Sequence, residues 1–218
     1  MSLKTVVLTF DDAVANHATL VAPLLLKYGF NATFYVCEFP PDFDTNKQQY
    51  MTWEQIAQLD KSGFEIGNHT GHHAVVLDLT PEALIAEMRF LDDRCSQYGI
   101  RKPETFAYPG GPCNDRAMRV VLEYGFSWAR GVAPRPFIPG RENPMCVPSF
   151  PVNGDDPKLF YDAVAQAGDN AIPVLIFHGI PDYTHPWVTT VPERFAEYIR
   201  YLDDHHFNVI AMRDLPLK

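Results

Sequence analysis

The run Thr5–Phe10 (Thr-Val-Val-Leu-Thr-Phe) carries no charge and breaks off at two acids, Asp11 and Asp12. A half-exposed strand alternates apolar and polar residues, so a continuous run of this kind reads as a strand covered on both faces, as in a parallel sheet. The rest of the chain keeps to the same grammar. Leu20–Tyr28 reads as a helix closed by Gly29, and Ala32–Val36 as a second strand. Thr52 and Gln55 form a capping box before a helix whose inner face carries Ile56 and Leu59 and which stops at Gly63. Phe64–Gly67 is a third strand. Thr80-Pro81 opens the clearest helix, with Leu84, Met88, Leu91 and Cys95 as its apolar stripe and Gly99 as its stop. Thr105–Ala107 is strand-like, Asp115–Tyr124 helical and Ser127–Arg130 strand-like; Cys146–Phe150 and Pro173–Phe177 are further strands. Phe195, Tyr198, Ile199 and Leu202 mark a last helix and Asn208–Ala211 a last strand. About eight strands interleaved with about six helices argue for the α/β class with a parallel sheet, closed or open. The Pro-, Gly- and Arg-rich stretch Ala133–Asp156 reads as a long connection.

Size and charge narrow the function classes. A chain of 218 residues fits one large domain or two small ones at roughly 150 residues each. The polar clusters run from Thr9 to His178 without a break, which favours a single domain over 1–218. The formal net charge of −9 argues against nucleic-acid and anionic-membrane partners, which need a basic face. No stretch approaches the roughly 18–20 apolar residues of a membrane span. Met1-Ser2-Leu3-Lys4 runs straight into the first strand with no signal peptide, so the expected location is the cytoplasm, or outside it with an export segment removed. The four cysteines (Cys37, Cys95, Cys113, Cys146) include no C-x-x-C pair and read as reduced and mostly buried.

Three polar clusters follow strand ends, where sites in such folds lie: Asp11-Asp12, His69–His73 and His178. Successive strand residues point to opposite faces, so both carboxylates enter one site only if the chain leaves strand geometry there. Two close carboxylates repel unless a cation neutralises one; one as metal ligand and the other as base is a stable division of labour, and capping of the next helix is the alternative. His69 and His73, four apart, share a face if the segment is a helical turn, and His72 competes as a ligand. Two histidines plus a carboxylate is a catalytic zinc or iron pattern. His178 leaves a buried strand toward the same rim, as a general acid or base does. His17, His205 and His206 read as structural surface residues, and there is no G-x-S-x-G, P-loop or G-x-G-x-x-G motif.

Together these clusters resemble the polysaccharide deacetylase family, the NodB-type carbohydrate esterases. The T-F-D-D motif stands as Thr9-Phe10-Asp11-Asp12, the H-[S/T]-x-x-H motif as His69-Thr70-Gly71-His72-His73, and L-x-x-H as Leu175-Ile176-Phe177-His178. The resemblance implies a distorted (β/α) barrel of about seven parallel strands. It also implies a divalent metal, zinc in the first place, with Co2+, Fe2+ or Ni2+ as alternatives. Asp12, His69 and His73 take the places of the metal ligands, which decides between His72 and His73. Asp11 takes that of the general base and His178 that of the general acid, with a metal-activated water as nucleophile.

The third motif departs from the family's usual R-P-P-Y-G or F-A-Y-P-Y-G. It reads Phe106-Ala107-Tyr108-Pro109-Gly110-Gly111, with Ala107 where an arginine often braces the base and Gly110 where a tyrosine often offers its N–H to the oxyanion. Gly110 keeps that N–H. Arg130 is the candidate for the missing charge beside Asp11, in which case Arg130→Ala lowers turnover far more than stability. The family's D-x-x-D-W segment has no counterpart. Tyr108, Tyr183 and Trp187 are candidates to contact substrate, with His185 in the same loop as the last two. The resemblance implies removal of N-acetyl or O-acetyl groups from a carbohydrate, foremost a glycan containing N-acetylglucosamine. Hydrolysis of another C–N bond in a small amide or ureide, as in allantoinases, is the alternative, and a glycan-binding pseudoenzyme a third reading. The oligomeric state has no sequence signature.

Overall fold

The computed structural model describes residues 4–154 and 156–216. The expectation drawn from Met1–Leu3 lies outside the described residues. Eight strands, β1 (Thr5–Phe10), β2 (Thr33–Val36), β3 (Glu65–Asn68), β4 (Thr105–Ala107), β5 (Trp128–Arg130), β6 (Phe150–Pro151), β7 (Val174–Phe177) and β8 (Asn208–Ile210), form one parallel sheet. Its order is β5-β4-β3-β2-β1-β7-β6, with β8 pairing the first half of β1. Six helices follow the strands: α1 (Ala22–Lys27), α2 (Trp53–Lys61), α3 (Pro81–Gln97), α4 (Asp115–Tyr124), α5 (Lys158–Val164) and α6 (Pro192–Asp204). The sheet curls so that the segment after β5 reaches β7. Val147 accepts from Gly131 N and donates to Ala129 O, and three residues later β6 pairs with β7. This is a distorted (β/α) barrel with seven strands along its path.

The helix ends follow the local chemistry of the chain. Thr52 and Gln55 form the capping box of α2, Thr80 accepts from Ala83 N at the start of α3, and Asn114 caps α4. Three details depart from the sequence reading. The expected strand Cys146–Phe150 begins as a helical turn, Pro144–Cys146, and only Phe150 joins β6; Pro148 has no N–H with which to continue a ladder. Helix α5 falls next to the stretch read as irregular. It has seven residues and no side-chain cap, so its local signal is weak. The helix read from Leu20 starts inside a wider turn, His17–Val21, that carries His17 into the core.

Strand parity divides the core into two layers. Val6, Leu8 and Phe10 of β1 pack outward with Leu25, Ile56, Phe195 and Ile199 of the helices. Val7, Tyr35, Ala107, Trp128 and Val174 instead pack among themselves inside the barrel. Inside-facing positions recur every second residue. Counted on past the strand ends, the same parity reaches Asp11 from β1, His69 from β3, Arg130 from β5 and His178 from β7. The sheet thus aims these four side chains at the mouth of its own interior.

Candidate active site

Asp11 closes β1 by donating its N–H to Phe177 O (2.9 Å) and is 4% exposed. The strand then ends abruptly: Asp12 has φ +71 and Ala13 φ +52. This left-handed excursion swings Asp12 back to the side Asp11 already occupies, meeting the condition that two adjacent carboxylates share a site. A similar device operates after β3. Thr70 and His73 also have positive φ, and the segment is an irregular loop, not the helical turn expected from the four-residue spacing. It nevertheless brings His69 and His73 together, with ring centroids 5.0 Å apart. His72 points elsewhere: its Nδ1 lies 3.1 Å from Glu87 Oε1 on an exposed face.

Asp12, His69 and His73 each present one ligand atom, all within 4.8 Å of one another. Asp12 Oδ1 lies 3.6 Å from His69 Nε2 and 3.4 Å from His73 Nε2. His69 Nδ1 is 2.8 Å from Ala107 O. A carbonyl only accepts, so Nδ1 carries the ring proton and Nε2 turns its lone pair toward Asp12, the usual orientation of a ligating histidine. Two imidazoles and a carboxylate are a donor set suited to a divalent transition-metal ion.

Arg130, 2% exposed, donates from Nη2 to both oxygens of Asp11 at 2.8 and 2.6 Å. It stands in β5 at the position paired in register with Ala107 of β4. Alanine leaves room at the first position, and the guanidinium arrives from the neighbouring strand, 5.1 Å above the Tyr35 ring. Tyr35 in turn passes over Gly67, where any Cβ would collide with the ring.

Burial disfavours charge on both acids, yet they diverge. At Asp11 the charge and hydrogen bonds of Arg130 outweigh burial and hold the carboxyl below its ordinary range. At Asp12 the Asp11 charge adds to burial and pushes the carboxyl well above that range. Asp11 is therefore ionised while Asp12 lacks a compensating positive charge. Burial lowers His69 to about 3 and also lowers His73 and His178, so these imidazoles stand neutral, as ligands require.

His178 Nε2 lies 4.0 Å from Asp11 Oδ2 and 3.9 Å from Asp12 Oδ2, and its buried Nδ1 has no hydrogen-bond partner among the described residues. Its backbone carbonyl accepts from His17 Nε2 at 2.9 Å. His17, read from sequence as a surface residue, is fully buried against Phe10 and Phe34 because the turn after Asn16 faces it inward. The five residues Asp11, Asp12, His69, His73 and His178 open into one cleft of about 330 Å³.

The cleft walls revise the expected substrate contacts. Gly110 (φ +67) and Gly111 (φ +94) line one side. Gly111 N–H closes a turn onto Tyr108 O at 2.8 Å, and a Cβ on Gly111 would collide with Val132. The Tyr108 ring is 1% exposed and its hydroxyl donates inward to Met145 O (2.9 Å), so it is not a free stacking face. Tyr183 is 85% exposed and lies outside the cleft lining, because the chain turns away after Asp182. Trp187 does line it, with His185 packed between Trp187 and Phe39 at 5.4 and 5.0 Å. Phe39 and Asn153 are lining residues that the sequence reading missed. Phe39 follows β2 at the same rim as the motifs, which is the signal that could have found it. Asn153 sits in the irregular stretch and offers none.

A barrel with a carboxylate–imidazole cluster at the C-terminal rim of its strands defines a class of proteins, and residues 1–129 match the polysaccharide deacetylase family. The chain belongs to that family. It is 30% identical over 146 residues to a peptidoglycan-N-acetylglucosamine deacetylase of Bacillus cereus, a match covering 64% of each chain. It is 26% identical over 144 residues to YxkH of Bacillus subtilis, named as a polysaccharide deacetylase, covering 66% of this chain and 50% of that one. The chain thus spans between half and two thirds of the length of these curated relatives. The fold is similar to that of a family 4 acetyl xylan esterase from Clostridium thermocellum solved with a cobalt ion. That likeness has a TM-score of 0.67, 18% identity, and covers 99% of this chain and 94% of that one. No described helix is long and apolar enough to cross a membrane.

Proposed function

We propose that this protein is a metal-dependent hydrolase that removes acetyl groups from a carbohydrate, foremost N-acetyl groups from a glycan containing N-acetylglucosamine, and that residues 1–218 act as one catalytic unit. The observation that carries the reading is the convergence of Asp12, His69 and His73 with Asp11 and His178 in a single cleft. Asp12, His69 and His73 would hold the cation, zinc in the first place. When bound, it would supply Lewis acidity toward water and the acetyl carbonyl.

The chain's own residues account for the proton movements. Asp11, kept ionised by Arg130, accepts the proton of the attacking water at a carboxylate oxygen. Asp11 Oδ2 and His178 Nε2 are 4.0 Å apart, so that proton has a short route to the imidazole. His178, neutral at rest, then delivers it to the departing amine, a poor leaving group without it. Gly110 is the better oxyanion donor than Gly111, whose N–H is already engaged by Tyr108 O. Trp187 and His185 form a wall against which a sugar face can stack. A pseudoenzyme is disfavoured because no member of the five-residue set is missing.

The test is product release. Protein stripped of metal and reloaded with zinc or cobalt is offered chito-oligomers, acetylated xylan and allantoin. Acetate from the first, lost in Asp11→Asn, is the expected result. Ammonia or ring opening from allantoin alone would replace the glycan reading with the ureide one. No turnover of any substrate by metal-loaded protein would overturn the enzymatic reading.

A further inference from the structure

Two cysteines meet outside the lining of the cleft, in segments that follow its β4 and β5 walls. Cys113 follows the Gly110-Gly111-Pro112 turn after β4, and Cys146 ends the helical turn Pro144–Cys146 that precedes β6. Both are half-buried, 33 residues apart in sequence, and their sulfurs face each other at 2.9 Å. Gly131, next to Arg130, leaves them space: a Cβ there would lie 3.1 Å from Cys146 Sγ and 3.9 Å from Cys113 Sγ. The other two cysteines differ in kind. Cys37 and Cys95 are fully buried and burial pushes both thiols up, Cys95 to about 12. Within the facing pair either sulfur can donate to the other, and that hydrogen bond lowers one thiol, Cys146, and raises the other, Cys113, with the Arg135 charge also lowering Cys146. A partly exposed thiolate beside a second thiol is the arrangement of a reactive dithiol, whereas buried high-pKa cysteines are inert.

We propose that Cys113 and Cys146 form a reversible dithiol–disulfide site that takes a low-molecular-weight disulfide, such as glutathione disulfide, as its oxidant. The Cys146 thiolate attacks one sulfur of the oxidant, breaking its S–S bond and expelling one glutathione thiolate. Cys113, losing its proton, attacks the Cys146 sulfur of the mixed disulfide and expels the second. One protein disulfide forms, two protein thiols are oxidised, and two glutathione molecules leave reduced. The sulfurs, 2.9 Å apart, have to close by only about 1 Å to reach the S–S bond length of roughly 2.05 Å. The bond joins the turn carrying Gly110 and Gly111 to the segment beyond Arg130. In the dithiol form these are linked by hydrogen bonds such as Tyr108 OH to Met145 O. This inference does not depend on the deacetylase reading.

The test uses the full chain, fully reduced, then equilibrated with excess glutathione disulfide and quenched by alkylation. Two of the four thiols are expected to resist alkylation even after unfolding, with a single Cys113–Cys146 cross-linked peptide lighter by two hydrogens and restored by dithiothreitol. Cys37 and Cys95 remain alkylatable only after unfolding. The oxidised protein melts several degrees higher because the cross-link restricts the unfolded chain, and Cys113→Ser shows no such rise and stops at a glutathione adduct on Cys146. Four free thiols in the wild type after equilibration, or a stable glutathione adduct on Cys146 with no cross-link, would overturn the proposal. Both are read without any variant having to fold.

Discussion

Arg130→Met tests whether the buried guanidinium sets the charge of Asp11. In the wild type one Nη2 donates to both Asp11 oxygens, and both side chains are almost completely buried. Methionine retains much of the volume and removes the charge, leaving Asp11 buried beside Asp12 without a counter-ion. An opposite charge at this range moves a carboxyl by about 1–3 pH units. The sign follows from linkage. The folded-state pKa of Asp11 is depressed, so the pair stabilises the fold above the unfolded value near ~3.9, and that stability is lost as pH falls through the folded pKa. Without Arg130 the Asp11 pKa rises, and the acid limb of the kcat/KM profile should move up by about 1–3 pH units at saturating metal. Breaking a buried pair costs about 3–5 kcal/mol. At about 2–4 °C per kcal/mol for a chain of this size, Tm falls by roughly 6–20 °C. Arg130→Met is therefore expected to lose stability as well as turnover, whereas the sequence reading expects Arg130→Ala to lower turnover far more than stability. Burial of the guanidinium is the reason. Arg130→Lys, keeping a charge but not the planar fork, should fall between the two. An unmoved acid limb in a folded Arg130→Met variant would falsify control of the Asp11 charge by Arg130.

Further outcomes follow from the same geometry. His73→Ala should abolish retention of zinc measured by elemental analysis, while His72→Ala, whose ring faces Glu87, should retain it; the reverse result would reassign the ligands. His178→Ala should keep its metal and lower kcat by about 10²–10⁴-fold, and a change in metal content instead would make His178 a ligand. His17 is buried and lowered to about 4. The unfolded chain therefore takes up its proton near ~6.5 while the folded one resists, and stability falls by about 3 kcal/mol between those pH values. Thermal melts of wild type and His17→Asn across pH 4–6.5 should show a shallower slope in the variant, and parallel slopes would refute the assignment. Gly111→Ala, meeting Val132 at φ +94, should lower Tm more than Gly110→Ala, which meets only Pro112 Cδ at 3.6 Å.

The chain by itself determined whatever depends on neighbours in sequence. The uninterrupted run Thr5–Phe10 specified a strand covered on both faces. Thr52 with Gln55, Thr80-Pro81 and Asn114 specified helix starts, because a cap and its orphan N–H lie within three residues of each other. The three strand-end motifs were equally legible, since strand alternation and polar breaks are local. Arg130 was legible as a candidate, but its contact with Asp11 spans 119 residues and exists only because β4 and β5 pair with Ala107 opposite Arg130. The tertiary structure also decided the backbone excursions at Asp12, Thr70 and His73, which no helical spacing describes. It decided the inward turn of His17, the inward hydroxyl of Tyr108, the exclusion of Tyr183 and the meeting of Cys113 with Cys146. The physical reason is common to all of them. Parity says which side chains face the barrel interior, but only sheet register and curl say which of them meet, and those are settled by contacts between residues far apart in the chain.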